Sequence, residues 1–289
     1  MTDEPHHTTN PGVPGDGAGE SPAAPGGDGR PAALGRRFAL AVTFLTAVRL
    51  PTSGAAAPAD LWASMGLYPV VGLLLGLAGW GAYAVLLYRL TPLVAAAIVV
   101  VGLELATRAL HLDGLMDTAD GCLSGAPRER ALEIMKDSRV GAMGVFAAIA
   151  VIVVKVSALA ALARPGAALG LVAGLAVARL LPVIDVRFFA YARREGTGAA
   201  FAGAGTTNGP VIVAGAVAVA VALAAGAFAR SGVAGPFLGL DVAIAVVAAT
   251  LGVQALVARR LGGLTGDVYG LGVELAETLA LIGAGLVVR

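Results

Sequence analysis

The amino-acid sequence predicts an all-α fold, a polytopic transmembrane helical bundle of about seven spans. Apolar residues make up 57% of the 289 residues and charged residues only 13%, whereas soluble domains average about 45–50% and about 25%. Seven apolar runs are each close to the roughly 20 residues that cross about 30 Å of hydrocarbon as a helix. The alternating polar positions of a membrane β-barrel are missing from these runs, so they must be helical to satisfy their backbone groups in lipid.

The amino-terminal segment, 1–37, predicts a disordered tail. It holds eight glycines, six prolines and almost no bulky apolar side chains, so it cannot bury enough surface to offset its ordering entropy. The remainder, 38–289, is expected to form one integral-membrane catalytic domain. Its first apolar run, 38–48, is too short to span and is expected to be interfacial or re-entrant.

The distribution of basic residues predicts the orientation of the spans. With the amino terminus in the cytoplasm, 14 of the 20 lysines and arginines fall inside and four outside, the other two being within spans. The positive-inside rule favours this arrangement. It places the long polar stretches at the cytoplasmic face of the cell membrane, which predicts an active site there. The predicted spans are 66–88, 91–110, 142–163, 167–187, 210–229, 237–257 and 271–288.

Four charged residues within the predicted spans are costly to bury, at roughly 2.5–3.5 kcal/mol each near a helix centre. They are Glu104, Lys155, Arg179 and Asp185. Glu104 and Arg179 lie at similar depths and can pair across the second and fourth spans, or Glu104 can pair with Arg108 along one helix. Lys155 lies deeper and has no obvious partner, so we expect it to occupy a polar or hydrated pocket inside the bundle.

The strongest site signal is a run of three aspartates after the second span. Asp113, Asp117 and Asp120 are spaced i, i+4, i+7, which places them on one helical face. Such a cluster suits Mg²⁺, which binds one or two carboxylates together with substrate phosphates; a solvated turn is the alternative reading, because Asp-Gly pairs favour turns. An unbroken second helix would point this face about 180° away from Glu104, so we expect a break near Gly114.

A second charged group follows 13 residues later. Glu133 and Asp137 are spaced i, i+4 and can share a helical face, where they would join the metal site or accept a proton. Lys136 and Arg139 are spaced i, i+3 and could bind phosphate oxygens. A mixed-charge amphipathic helix would show the same pattern.

A third candidate is the glycine-rich segment 261–270. Four glycines in nine residues would let backbone amides approach an anion, and Gly263 and Gly266 are the two expected to bind it. Asp267 could ligate a metal, and Thr265 could donate to phosphate. The segment lacks the Lys-Ser/Thr pair of a P-loop, and a plain flexible loop is an equally good reading.

The motifs together resemble the cobalamin synthase family. The resemblance rests on HLDGLMDTADG at 111–121, ERALEIMKDSRVGAMGV at 129–145 and LGGLTGDVYG at 261–270, with support from ARREGTGAAF at 192–201 and a looser LTAVRLP at 45–51. It covers roughly 38–289. One departure is Val268, where the family is expected to have threonine.

The resemblance implies an integral-membrane, Mg²⁺-dependent enzyme of the last step of cobalamin assembly. It would join adenosylcobinamide-GDP to α-ribazole or its 5′-phosphate and release GMP. The chemistry of that reaction, rather than the resemblance, assigns the roles. Metal binding is expected from Asp113, Asp117, Asp120 and Asp267; catalysis from the first three of these with Glu133 and Asp137; and phosphate binding from His111, Lys136, Arg139, Gly263, Thr265 and Gly266.

Two other functions share some of these features. A CDP-alcohol phosphotransferase of lipid synthesis also uses an aspartate cluster and Mg²⁺, but its pattern continues Asp-Gly-x-x-Ala-Arg where this chain has Met116-Asp117. A cation-coupled transporter would place carboxylates at the bilayer midplane on repeated helices, and no repeat is evident. The net charge of +1 gives no reason to expect nucleic acid binding. The expected partners are the two substrates, the lipid bilayer and, further, other cobalamin-pathway enzymes or a second copy of the chain.

Overall fold

The computed structural model of the protein describes residues 30–52, 54–193, 207–230 and 232–288. Within these ranges the chain is helical apart from its connections and one isolated parallel bridge between Tyr191 and Leu264, which confirms the all-α prediction. The helices are α1 (Arg30–Leu45), α2 (Pro58–Met65), α3 (Tyr68–Leu86), α4 (Pro92–Ala106), α5 (Leu110–Leu123), α6 (Arg128–Ile134), α7 (Ala142–Ala160), α8 (Arg164–Phe188, including a π-helical turn), α9 (Gly209–Ala229), α10 (Ala234–Leu261) and α11 (Gly266–Val287).

The predicted spans each coincide with a helix. Helices α3, α7, α8, α9, α10 and α11 are long and apolar enough to cross a membrane. The remaining predicted span, 91–110, is the second in the chain; it is the shorter α4, which meets α5 at an angle of 89°. The predicted tail, 1–37, lies mostly outside the described residues, but its last part is helical because α1 begins at Arg30. Helix α1 also takes up most of the run 38–48.

Helix α8 is the central helix of the bundle and is buried along most of its length. Helices α3, α9 and α11 pack around it. Two glycines of α3 make the closest approach: a Cβ on Gly72 would lie 2.3 Å from the carbonyl oxygen of Leu175, and one on Gly76 would lie 2.6 Å from that of Leu171. Small residues at helical spacing therefore permit backbone contact between spans, as they do in other membrane bundles.

The break between α4 and α5 lies earlier than predicted. We expected it near Gly114, but the chain turns at Arg108 and Ala109, which both adopt the left-handed conformation with φ values of 57° and 52°. Gly114 lies inside α5, where a Cβ would be 2.6 Å from the carbonyl oxygen of Asp267. A glycine is needed at position 114 because α11 crosses α5 there at close range. It does not mark a break in the helix.

The charged groups inside the bundle form one ionic cluster. The Lys155 Nζ donates to Glu104 Oε1 at 3.1 Å, Glu274 Oε2 at 2.7 Å and Glu277 Oε2 at 2.6 Å, and Arg179 pairs with the other oxygen of Glu277. The three glutamates are, in the described part of the chain, the one group of metal-ligand type whose oxygens all lie within 4.8 Å of one another. The Lys155 ammonium is the cation that lies among these three carboxylates. The prediction that Lys155 occupies a polar pocket inside the bundle is therefore confirmed.

The partners predicted for Glu104 were wrong. Glu104 bonds to Lys155, and Arg179 pairs with Glu277 of α11 instead of with Glu104. The Arg108 guanidinium instead donates to carbonyl oxygens at the end of α1.

Candidate active site

Helix α5 crosses the first turns of α11 and α7 at one end of the bundle. Its Gly114 contacts Asp267 of α11, and its Asp120 contacts Gly141 and Gly144 at the start of α7. Helix α6 packs beside it, where Met135 lies against Gly121 of α5. The polar motifs that are far apart in the sequence therefore meet at this end.

Two of the predicted metal ligands face the same cavity. Asp113 is exposed in the first turn of α5, and Asp267 lies in the first turn of α11. Asp117, one turn after Asp113, is half-buried and within the electrostatic field of both carboxylates. The positive end of α11 favours a carboxylate at Asp267, and the three negative charges together favour a cation between them.

The cavity beside these carboxylates has a volume of about 210 Å³ and mostly apolar walls. The buried imidazole of His111 reaches both this cavity and a smaller one next to the ionic cluster. The rings of Phe44 and Tyr68 stack at 6.0 Å between centroids on its wall. The other apolar wall residues include Leu45, Met65, Leu110, Pro182, Val186 and Tyr269.

Asp120 shares the predicted helix but has a structural contact. Its Oδ2 accepts a hydrogen bond from the Gly141 amide at 2.7 Å, and its Oδ1 accepts one from the Gly144 amide at 2.8 Å. A Cβ on either glycine would lie within 2.5 Å of the carboxylate. Asp120 therefore caps the start of α7, and each of its oxygens keeps one further lone pair for a cation.

The Glu133–Arg139 group is not arranged on one helical face. Helix α6 ends at Ile134, so Asp137 lies outside the helix that carries Glu133, contrary to the prediction. Glu133 pairs with Arg130 at 2.9 Å, and Asp137 pairs with Arg139 at 2.7 Å, all at the surface. The Arg139 guanidinium lowers the pKa of Asp137 to about 2, which makes Asp137 a poor proton acceptor at neutral pH.

The glycine-rich segment is shorter than predicted because α11 begins at Gly266. The amides of Gly263 and Leu264 donate to the carbonyl oxygens of Ala258 and Ala190 at 2.9 and 2.8 Å. The Gly263 amide, which was expected to face an anion, is therefore already bonded.

Thr265 caps α11 and touches a predicted metal ligand. Its hydroxyl oxygen accepts from the Val268 amide, and the hydroxyl donates to Asp267 Oδ2 at 3.2 Å. The side chain of Thr265 is buried, so it orients the carboxylate from within the protein.

Sequence reasoning missed Arg193 as a site residue. Its Nη1 donates to Asp267 Oδ2 at 2.8 Å, and it lines a second, polar cavity of about 360 Å³ together with Lys136. The available signal was its position in the segment 192–201, which contributed to the family resemblance. The other residues of this cavity are Arg128, Glu129, Leu132, Glu133 and Ala192.

The donor set suits Mg²⁺. In the conformation described for these ranges, no three of the aspartates bring their oxygens within 4.8 Å of one another. Mg²⁺ needs only one or two carboxylates when substrate phosphates complete its shell, and Asp113 and Asp267 face one cavity. The residues present therefore fit this ion.

Comparison with known proteins agrees with the family resemblance of the sequence motifs. A family model described as cobalamin-5-phosphate synthase matches residues 37–285. The adenosylcobinamide-GDP ribazoletransferase of Desulfitobacterium hafniense (strain Y51) is 38% identical over 255 residues, which cover 86% of this chain and 96% of the relative. The protein of the same name from Alkalilimnicola ehrlichii is 40% identical over 252 residues, with 86% and 94% covered.

A third relative of that name, from Brevibacillus brevis, is 35% identical over 249 residues, with 85% of this chain and 96% of the relative covered. No solved structure matches the chain. The matched range of the family model includes every motif at the end of the bundle where Asp113 and Asp267 lie. This chain therefore belongs to the cobalamin-5-phosphate synthase family.

Proposed function

We propose that this protein is an adenosylcobinamide-GDP ribazoletransferase that depends on Mg²⁺. It transfers adenosylcobinamide phosphate from adenosylcobinamide-GDP to α-ribazole or its 5′-phosphate and releases GMP, in the last step of adenosylcobalamin biosynthesis. The observation that carries the proposal is the meeting of Asp113 and Asp267 at one cavity, while Arg193, which pairs with Asp267, lines the 360 Å³ cavity together with Lys136. The names of the relatives support the choice of substrates.

The reaction breaks a diphosphate bond. The 3′-hydroxyl of the ribose attacks the phosphorus that is joined to cobinamide, and the bond from that phosphorus to the oxygen of GMP breaks. A bound Mg²⁺ would neutralise the diphosphate oxygens and the leaving GMP, held by Asp113, Asp117 and Asp267, with Asp120 as a further candidate.

The side chains of the protein orient the substrates and handle the proton. Lys136 is exposed, lines the 360 Å³ cavity and would bind phosphate oxygens. Glu133 is chosen over Asp137 as the base, because Arg139 lowers the pKa of Asp137 to about 2 and so makes its carboxylate a weak proton acceptor. The 210 Å³ cavity is below the roughly 300–1,000 Å³ of drug-sized sites, so it is too small to enclose a corrin ring.

The orientation belongs to the same proposal. The protein lies in the cell membrane, and the end of the bundle that carries Asp113 and Asp267 faces the cytoplasm, where nucleotides are found. Single cysteines at Ser124 and Arg230, in a Cys122→Ala background, test it with an impermeant thiol reagent. Intact cells should label position 230 and protect position 124; the reverse pattern would overturn the orientation.

The activity is tested with protein purified in lipid nanodiscs. We expect release of GMP from adenosylcobinamide-GDP that requires both α-ribazole and Mg²⁺. A CDP-alcohol phosphotransferase would instead release CMP from a CDP-alcohol donor. Release of CMP without release of GMP would replace the proposed reaction with the lipid-synthesis alternative.

A further inference from the structure

The guanidinium of Arg193 is buried with most of its donors unused. Its side chain is only 10% exposed, and its Nη1 donates to Asp267. Its Nε and Nη2 are also buried, and neither has a hydrogen-bond partner among the described residues. A buried charged donor without a partner is costly, and such groups are rare in folded proteins unless a ligand completes them.

The side chain that carries these unused donors borders a cavity. Arg193 lines the 360 Å³ cavity with Arg128 and Lys136. Arg128 is occupied, because its guanidinium donates to the Leu261 carbonyl and pairs with Glu129. Lys136 is exposed and takes part in no ion pair of the described region. Within the described part of the chain, the cavity is therefore lined by a free ammonium and by a guanidinium that has two unpartnered nitrogens.

We propose that Arg193 binds the diphosphate of the nucleotide donor, with Lys136 as a second contact; this inference rests on the proposed function and assigns a residue to its donor site. A guanidinium presents its N–H groups as a planar fork that matches two oxygens of a phosphate. Because its third nitrogen holds Asp267, Arg193 places the diphosphate beside the carboxylates expected to bind Mg²⁺.

The variant Arg193→Lys tests this role. Lysine keeps a positive charge that can still pair with Asp267, but it lacks the fork. The probes are adenosylcobinamide-GDP and adenosylcobinamide, which has no phosphate, and their Kd values are measured by equilibrium dialysis in nanodiscs. The matched control is Arg164→Lys, an exposed arginine over the ring of Tyr88.

We expect Arg193→Lys to raise the Kd of adenosylcobinamide-GDP about 10–150-fold, the range of one hydrogen bond to a charged group. The Kd of adenosylcobinamide should stay within about twofold, and Arg164→Lys should change neither value. A purely structural role through Asp267 would instead leave the donor Kd unchanged or weaken both ligands equally, and either result would overturn the inference.

The two proposals fail in different ways. A wild-type protein that releases no GMP in the presence of α-ribazole contradicts the proposed function, whatever Arg193→Lys does. A wild-type protein that releases GMP, together with an Arg193→Lys protein of unchanged donor affinity, contradicts only the role of Arg193.

Discussion

Replacing Lys155 by leucine removes the cation from the ionic cluster inside the bundle. The change leaves Glu104, Glu274 and Glu277 facing one another, with Arg179 as their remaining positive partner. Removing one member of a buried ion pair leaves an uncompensated charge and costs about 3–5 kcal/mol. Lys155 is 3% exposed and makes three short hydrogen bonds, so we expect the loss to fall at the upper end of that range.

The loss is measured as the free energy of unfolding in detergent micelles. Against a typical stability of about 5–15 kcal/mol, it would be large enough to lower the yield of folded protein. The double variant Lys155→Leu/Glu274→Gln is the matched control, because it removes a negative charge together with the positive one. We expect it to recover part of the stability. A single variant within about 1 kcal/mol of the wild type would refute the role of Lys155 as the cation of the cluster.

Two further predictions concern the ends of the helices around the site. Asp120→Asn should lower the free energy of unfolding by about 1.5–3 kcal/mol, because both amides lose a charged acceptor and one of them then faces the NH2 group of Asn, which cannot accept a hydrogen bond. Amide hydrogen exchange at Gly141 and Gly144 should rise with it, and unchanged exchange would contradict the capping role. Ala109→Gly should preserve or raise the melting temperature, since glycine tolerates the left-handed φ of 52°. Ala109→Val should lower the melting temperature, because a β-branched residue rarely adopts this φ. Equal melting temperatures for the two variants would contradict the account of the bend.

The sequence predicted those features that depend on local pattern. The length and polarity of the apolar runs placed a helix at each predicted span. The spacing of Asp113, Asp117 and Asp120 correctly placed them on one helix, since all three lie in α5. Depth along a helix was enough to predict a polar environment for Lys155.

Features that depend on contacts between distant segments were not predictable in this way. Arg193 and Asp267 form an ion pair although α9 and α10 separate them in the sequence. Glu274 and Glu277 lie inside the last predicted span, and their cost in lipid was a usable signal that would have identified the partners of Lys155. The bend at Arg108 and Ala109 contains no glycine or proline, so the local sequence does not predict it. Arg108 instead contacts the end of α1, which is distant in the sequence.

The most direct test of the account is a Mg²⁺ titration of GMP release by aspartate variants at matched membrane levels. Asp113→Asn and Asp117→Asn keep the side-chain shape but remove a charge and a strong ligand, and Asp241→Asn, at an exposed position on α10, is the control. We expect the first two to lower turnover by about 10²–10³-fold, equivalent to about 3–4 kcal/mol of transition-state stabilisation, with a higher half-saturating Mg²⁺ concentration, while the control matches the wild type. Near-normal turnover with unchanged Mg²⁺ dependence in both variants would show that the metal binds elsewhere.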